Sequence, residues 1–140
     1  MGRASRDRGL RAEQRVVTHL RSEGWEDARR YMAGDGRQPG DIDWHPLVCL
    51  EVKDRAGSSW PEWCRQVTKE ARPGMVPVVV RRTRGVPDVG QWEIRARWID
   101  WMETFGSPPP FHAESVEVDG RAWLRSTMSD LVAAVRSVDA

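Results

Sequence analysis

The sequence predicts an α/β fold in one compact domain, and three observations predict it. Residues 9–23 repeat apolar positions at helical spacing, with Leu10, Val16, Val17 and Leu20 on one face and Gly24 as a stop. Residues 48–53, 76–82 and 91–97 run or alternate apolar as strands do. A second helical stretch, from Ser59 to about Arg72, separates the first two of these strands and carries a stripe of Trp60, Trp63, Val67 and Ala71. At 140 residues the chain is long enough for a real core and short enough for one domain.

Composition excludes several classes. The apolar fraction is 39%, and no run approaches the roughly 18 apolar residues of a membrane span. No apolar segment follows the arginine-rich N-terminus, so a secretory signal is not expected and a soluble cytoplasmic protein is. Cys49 and Cys64 lack zinc or disulfide spacing and are expected to be reduced and packed. A net charge of +1 is uninformative about nucleic acid, but the kind of base is not. Of 22 basic residues only Lys53 and Lys69 are lysines. In a chain that uses arginine for generic positive charge, a lysine marks a place for a compact ammonium.

Met1 to Arg8 reads as a polar tail, either solvated or an arm for DNA phosphates. In the helix that follows, Glu13 falls in the middle of the apolar face. A carboxylate aimed at a core must be paired, hydrogen-bonded or bound to a metal, so a buried ion pair with an arginine and a site residue are both open. A short strand is expected through Ala28 to Tyr31, then a loop rich in glycine at Gly34, Gly36 and Gly40.

Pro39-Gly40-Asp41-Ile42-Asp43-Trp44 and Val48-Cys49-Leu50-Glu51-Val52-Lys53 read as a hairpin around a three-residue turn, His45-Pro46-Leu47. Alternation puts Cys49, Glu51 and Lys53 on one face and Val48, Leu50 and Val52 on the other. The turn would set Trp44 opposite Val48 and Asp41 opposite Glu51, with β-carbons about 5 Å apart. Two carboxylates so placed repel unless a cation lies between them, and hard oxygen ligands suit magnesium. Lys53 would lie at the rim of that site. An ordinary charged hairpin face is the alternative.

Ser59 and Glu62 have capping-box spacing. Gln66 and Glu70 lie one turn apart, either as helix surface or within reach of the active edge. Trp98 to Phe105 predicts a short helix, ended by Gly106 and a run of prolines that reads as a spacer. Asp119-Gly120 between 115–118 and 121–124 signals a type I′ hairpin, and Thr127 is expected to cap a last helix bearing Met128, Leu131, Val132, Val135 and Val138. The eight tryptophans suit either an aromatic interface or a well-filled core. His19, His45 and His112 are scattered and read as structural or exposed.

The ordered set Glu13, Pro39-Gly40-Asp41, Glu51-Val52-Lys53 and Gln66-x-x-x-Glu70 resembles the PD-(D/E)xK nuclease superfamily, and within it the archaeal-type Holliday junction resolvases and their bacterial and phage relatives. The likeness runs from about Gly9 to Phe105 and includes the glycine before the first helix. It implies a restriction-endonuclease-like fold, a central mixed β-sheet flanked by helices, over residues 1–105. Residues 106–140 would then be a hairpin-helix extension packing on the core or on a dimer partner. It also implies a homodimeric, magnesium-dependent endonuclease acting on DNA, most of all on four-way junctions, with manganese as a substitute and no nucleotide cofactor. By that likeness Asp41 and Glu51 bind the metal with the Val52 backbone carbonyl, and Glu13 completes the site through a water or a second ion. Lys53 positions the attacking water and stabilises charge on the phosphate, and Gln66, with Glu70 less surely, orients water or DNA. Gly40 between Pro39 and Asp41 departs from the family pattern and leaves Asp41 or Asp43 as the first ligand. The three-residue turn favours Asp41.

Arg11, Arg15, Arg55 and Lys69 are candidate DNA contacts. Two other readings compete: a restriction-like, nicking or repair nuclease of the same fold, and a non-catalytic DNA-binding protein that keeps the fold. A small-molecule enzyme finds no phosphate loop, nucleophile elbow or paired metal-ligand histidines.

Overall fold

A computed structural model describes residues 2–32, 36–55, 57, 59–106 and 113–139. The elements are α1 (Arg3–Ser22), β1 (Arg29–Arg30), β2 (Ile42–Asp43), β3 (Val48–Lys53), α2 (Trp60–Glu70), β4 (Val76–Arg81), a 3-10 turn at Val89–Gln91, β5 (Glu93–Arg97), α3 (Trp98–Phe105), β6 (Glu114–Val118), β7 (Arg121–Thr127) and α4 (Met128–Asp139). Strands β3 to β7 form one mixed sheet in the order β3-β4-β5-β7-β6, while β1 and β2 make a separate two-stranded ribbon. Strands β3 and β4 are parallel, because α2 carries the chain from one to the other; the remaining pairs are antiparallel.

The two faces of the sheet are covered differently. Val48, Leu50 and Val52 of β3, with Val78, Val80, Ile94, Ala96 and Leu124, pack against the buried faces of α1, α3 and α4. On the other face Cys49, Val79, Val118 and Trp123 pack against Trp60, Trp63, Cys64 and Val67 of α2. The period-2 alternation of β3 thus sorts its side chains between two cores and leaves Glu51 and Lys53 on the α2 side. Trp60, Trp63, Trp92, Trp101 and Trp123 are buried, so most of the tryptophan fills these cores. Both cysteines are free and buried. The hairpin turn at Asp119-Gly120 has φ of 51° and 75°, the left-handed pair a type I′ turn requires, and β7 continues the main sheet beside β5.

Several expectations are corrected. The arginine-rich tail is helical from Arg3, since nothing between Arg3 and Ser22 breaks a helix, and Gly9 therefore lies inside α1. Leu10 is 44% exposed, and the buried face is Ala12, Val16, Val17 and Leu20. Ser59 precedes α2 but makes no side-chain cap, so the capping box does not form. Helix α2 ends at Glu70, and Ala71 is extended, two residues before Pro73. The strand expected over Gln91 to Arg97 begins at Glu93, after the 3-10 turn. The largest correction concerns the expected hairpin. Strand β2 pairs with β1, through Arg29–Asp43 and Arg30–Ile42, and forms no ladder with β3; just before β2 the chain touches β3 at an isolated parallel bridge between Gly40 and Leu50. Gly40 explains this. Its φ is +82°, and a Cβ there would stand 2.6 Å from the Leu50 carbonyl oxygen, so only glycine lets the chain cross this close to β3. Gly34, Ala56, Ser58, the run Ser107 to Pro110 and His112 lie outside the described residues.

Candidate active site

β3 is an edge strand, and the site wraps around its free edge. A cleft of about 350 Å³ is lined by Arg6, Gly9, Leu10 and Glu13 from α1, Asp41 from the Gly40 crossing, Glu51 to Arg55 at the end of β3, and Gln66 from α2. Elements from both faces of the sheet meet there.

Asp41 reaches Glu51 by a route other than cross-strand pairing. Its backbone N–H donates to the Leu50 carbonyl at 2.8 Å, and its Oδ2 accepts from the Val52 N–H at 2.9 Å. In an extended strand a residue's N–H and C=O point to the same side. The Val52 carbonyl therefore faces the Asp41 side, while the Lys53 carbonyl accepts from Arg82 of the segment after β4 at 2.8 Å. Asp43 faces elsewhere: its carboxylate lies 3.2 Å from Arg29 across the ribbon, with both side chains about half exposed. Of the two aspartates, only Asp41 lines the cleft.

Glu51 is 3% exposed. Burial pushes its carboxyl far above the usual range, and the neighbouring carboxyls of Glu70 and Asp41 add to the shift. Asp41 is also raised by burial, opposed by the Val52 N–H. Glu13 is raised to about 7, by burial first and then by the charge of Asp41, although Arg30 Nε stands 3.3 Å from its Oε1 and works the other way. Glu13 is thus paired with an arginine and also lines the cleft.

The lysine is tied to the acids. Lys53 Nζ donates to Gln66 Oε1 at 3.0 Å and lies 3.6 Å from Glu51 Oε2, while Gln66 Nε2 donates to Glu70 Oε1 at 3.1 Å. The other oxygen of Glu70, Oε2, is buried without a donor among the described residues. Gln66 and Glu70 are thus joined to the acidic centre rather than being plain helix surface. Next to Lys53, the Asp54 carboxylate is 1% exposed and 3.2 Å from Arg82 Nη1, which pins the end of β3.

Asp41, Glu51, Glu70 and Glu13 offer only hard oxygens, the ligand type that magnesium takes, and three of them are driven toward protonation by burial and proximity. As they stand, the side chains are not splayed around a common point: no group of three or more His, Cys, Asp or Glu is placed to hold a metal among the described residues. Glu51 lies instead in hydrogen-bonding range of Glu70 and Asp41, as acids sharing protons would.

Other expected contacts scatter. Arg55 lines the cleft. Arg15 is committed elsewhere, donating to the Pro87 carbonyl and stacking over Trp92 with its guanidinium carbon 4.9 Å from the ring centre. Arg11 is exposed on α1, and Lys69 lies across α2 in a different groove. His19 and His45 play structural parts, His45 Nε2 lying 2.9 Å from Asp139 of α4. Arg6 and Asp54 enter the cleft without having been singled out from the sequence. A signal for Arg6 existed: Arg6, Leu10 and Glu13 are spaced i, i+4, i+7 along one helical stripe.

Among the described residues, no helix is long and apolar enough to cross a membrane. Compared with known proteins, the chain matches no family model, no curated protein and no solved structure.

Proposed function

We propose that the protein is a divalent-metal-dependent endonuclease that hydrolyses DNA phosphodiester bonds, built on a restriction-endonuclease-like fold. One observation carries the reading: Asp41, Glu51 and Glu70 crowd the free edge of β3, with Glu51 in hydrogen-bonding range of the other two and Lys53 3.6 Å from Glu51. So dense an acidic centre calls for a cation.

Asp41, Glu51 and the Val52 carbonyl would hold that ion, magnesium or manganese, with Glu13 and Glu70 reaching it through water. When bound, a divalent ion supplies a nucleophile at neutral pH and a clamp on phosphoryl oxygens. The protein's own part is positional. Lys53, fixed by Gln66 and Glu51, presents a compact ammonium to the phosphate and orients the attacking water. Arg6 and Arg55, the two arginines of the cleft lining, would hold the flanking backbone. The parallel β3–β4 pair joined by α2, with acids at the edge, supports the fold assignment. Preference for four-way junctions, and a homodimer that would cut two strands symmetrically, rest on the resemblance of the motifs.

The test is cleavage of a labelled four-way junction and a matched linear duplex, with magnesium or with chelator. Magnesium-dependent cutting that favours the junction is expected. Equal cutting of both would overturn junction selectivity and leave the nuclease intact; no cutting with any divalent ion would overturn the nuclease reading.

A further inference from the structure

A second cationic surface lies apart from the carboxylates. Between α2 and the β6–β7 hairpin runs a groove of about 280 Å³ lined by Arg65, Lys69, Arg97 and Arg121, with Trp123 in its floor and Asp119 as the one carboxylate among its lining residues. Asp119 already pairs with Arg65 at 2.8 Å, a bridge that ties α2 to the hairpin tip, and Arg97 pairs with Asp100. Lys69 and Arg121 are exposed and have no ion-pair partner among the described residues. The groove therefore keeps uncompensated positive charge over a floor of Trp123 and Val118, both buried.

Its position relative to the active site is set by helical geometry. At 100° per residue, Arg65 and Thr68 project about 100–160° around α2 from Gln66 and Glu70, while Lys69 lies between the two sets, about 60° from Gln66 and about 100° from Glu70. Groove and carboxylate cleft therefore neighbour one another around a single helix, whose diameter with side chains is only about 10–12 Å. A duplex advances about 3.4 Å per step along each strand, so one held in the cleft reaches the groove within a few steps.

We propose that this groove is a second contact for the sugar-phosphate backbone of the nucleic acid held in the cleft, with Lys69 and Arg121 as its phosphate ligands. The inference rests on the nucleic-acid reading of the carboxylate centre and assigns a role to the hairpin that lies beyond the motifs of that centre. Polyanion chemistry fits a groove whose cations outnumber its acids, since each phosphate neutralised releases counterions. A second copy of the chain fits poorly: docking through this face about a two-fold axis would set the same positive surface against itself.

The experiment uses the full chain, in chelator so that nothing is cut, and a fluorescently labelled duplex of about 20 base pairs, long enough to cover cleft and groove together. Lys69→Ala with Arg121→Ala is expected to weaken its binding roughly tenfold to a hundredfold at low salt. The slope of log affinity against log salt is expected to fall by about 1.8, the value for two lost phosphate contacts. Unchanged affinity and slope would overturn the inference, as would a change of oligomeric state, measured by sedimentation, in place of a change in DNA binding. Magnesium-dependent cleavage by the parent protein is scored separately. If it is present while the slope is unchanged, only the groove fails. If it is absent while the slope falls, the nuclease reading fails and the groove stands.

Discussion

The Asp41 carboxylate accepts a hydrogen bond from the Val52 backbone N–H at 2.9 Å, which binds a loop residue to the strand eleven positions later. The same bond brings a second carboxylate beside Glu51. Asp41→Asn keeps an acceptor for Val52 but removes the charge. We expect it to fold with little change in melting temperature and to lose magnesium binding, read by titration calorimetry, and cleavage. Asp41→Ala should lose about 1 kcal/mol of stability as well, the size of one hydrogen bond. Magnesium affinity equal to the parent's in Asp41→Asn would remove Asp41 from the ligand set.

Two glycines in the site should respond oppositely to the same substitution. Gly40→Ala puts a Cβ 2.6 Å from the Leu50 carbonyl oxygen at a φ of +82°, and should destabilise by roughly 2–4 kcal/mol. Gly9 sits inside α1 with nothing within 4 Å of where its Cβ would be. Gly9→Ala should therefore stabilise by about 1 kcal/mol. Chemical denaturation measures both; a neutral Gly40→Ala would mean that the chain does not cross β3 this closely.

The acidic centre predicts an unusual pH profile. Glu13 titrates near 7 in the folded protein against 4.5 ordinarily, because burial and then Asp41 disfavour its charge; Asp41 and Glu51 shift in the same direction. Between those values the folded state holds a proton that the unfolded chain has released, so stability falls as pH rises through the window from about 4.5 to about 7. For Glu13 alone the loss is roughly 2–3 kcal/mol. Melting curves of metal-free protein should show a lower midpoint at neutral pH than in mild acid, and magnesium should raise the midpoint more at neutral pH, where it replaces protons that have left. A metal-free midpoint that climbs over the same window would contradict this account of the site.

Lys53 touches Gln66 and Glu51 rather than any part of the core that needs it for folding. Lys53→Ala should lower the cleavage rate by about 10²–10³, the effect of removing one preorganised electrostatic donor, and leave DNA affinity in chelator nearly unchanged. An equal loss of affinity would make Lys53 a DNA contact.

Much of this site could be read from the sequence because strand alternation and charge are local signals. The face shared by Glu51 and Lys53 follows from the period of two, and the scarcity of lysine singles out Lys53. The approach of Asp41 could be foreseen, but its path could not. A hairpin and a glycine-mediated crossing place the same two acids together, and only the positive φ at Gly40 and the Arg29–Asp43 pairing distinguish them. The N-terminal turns of α1 carry no apolar periodicity, so the helix holding Arg6 over the cleft looked like a tail. The groove at Lys69 was out of reach for another reason. It exists only because β7 pairs with β5, thirty residues distant in the chain, and brings Arg121 toward α2.

The Gly40 crossing has a consequence for solubility. An edge strand offers unpaired N–H and C=O groups to any other strand, which is how edge-to-edge aggregation begins. On β3 the Leu50 carbonyl and the Val52 N–H are both taken by Asp41, through its backbone and its side chain. The residue that supplies a carboxylate to the site also plugs the sheet. Deleting the Gly40-Asp41 segment to remove its carboxylate would expose the apolar edge of β3 as well, so aggregation rather than soluble inactive protein is the outcome to expect from that deletion.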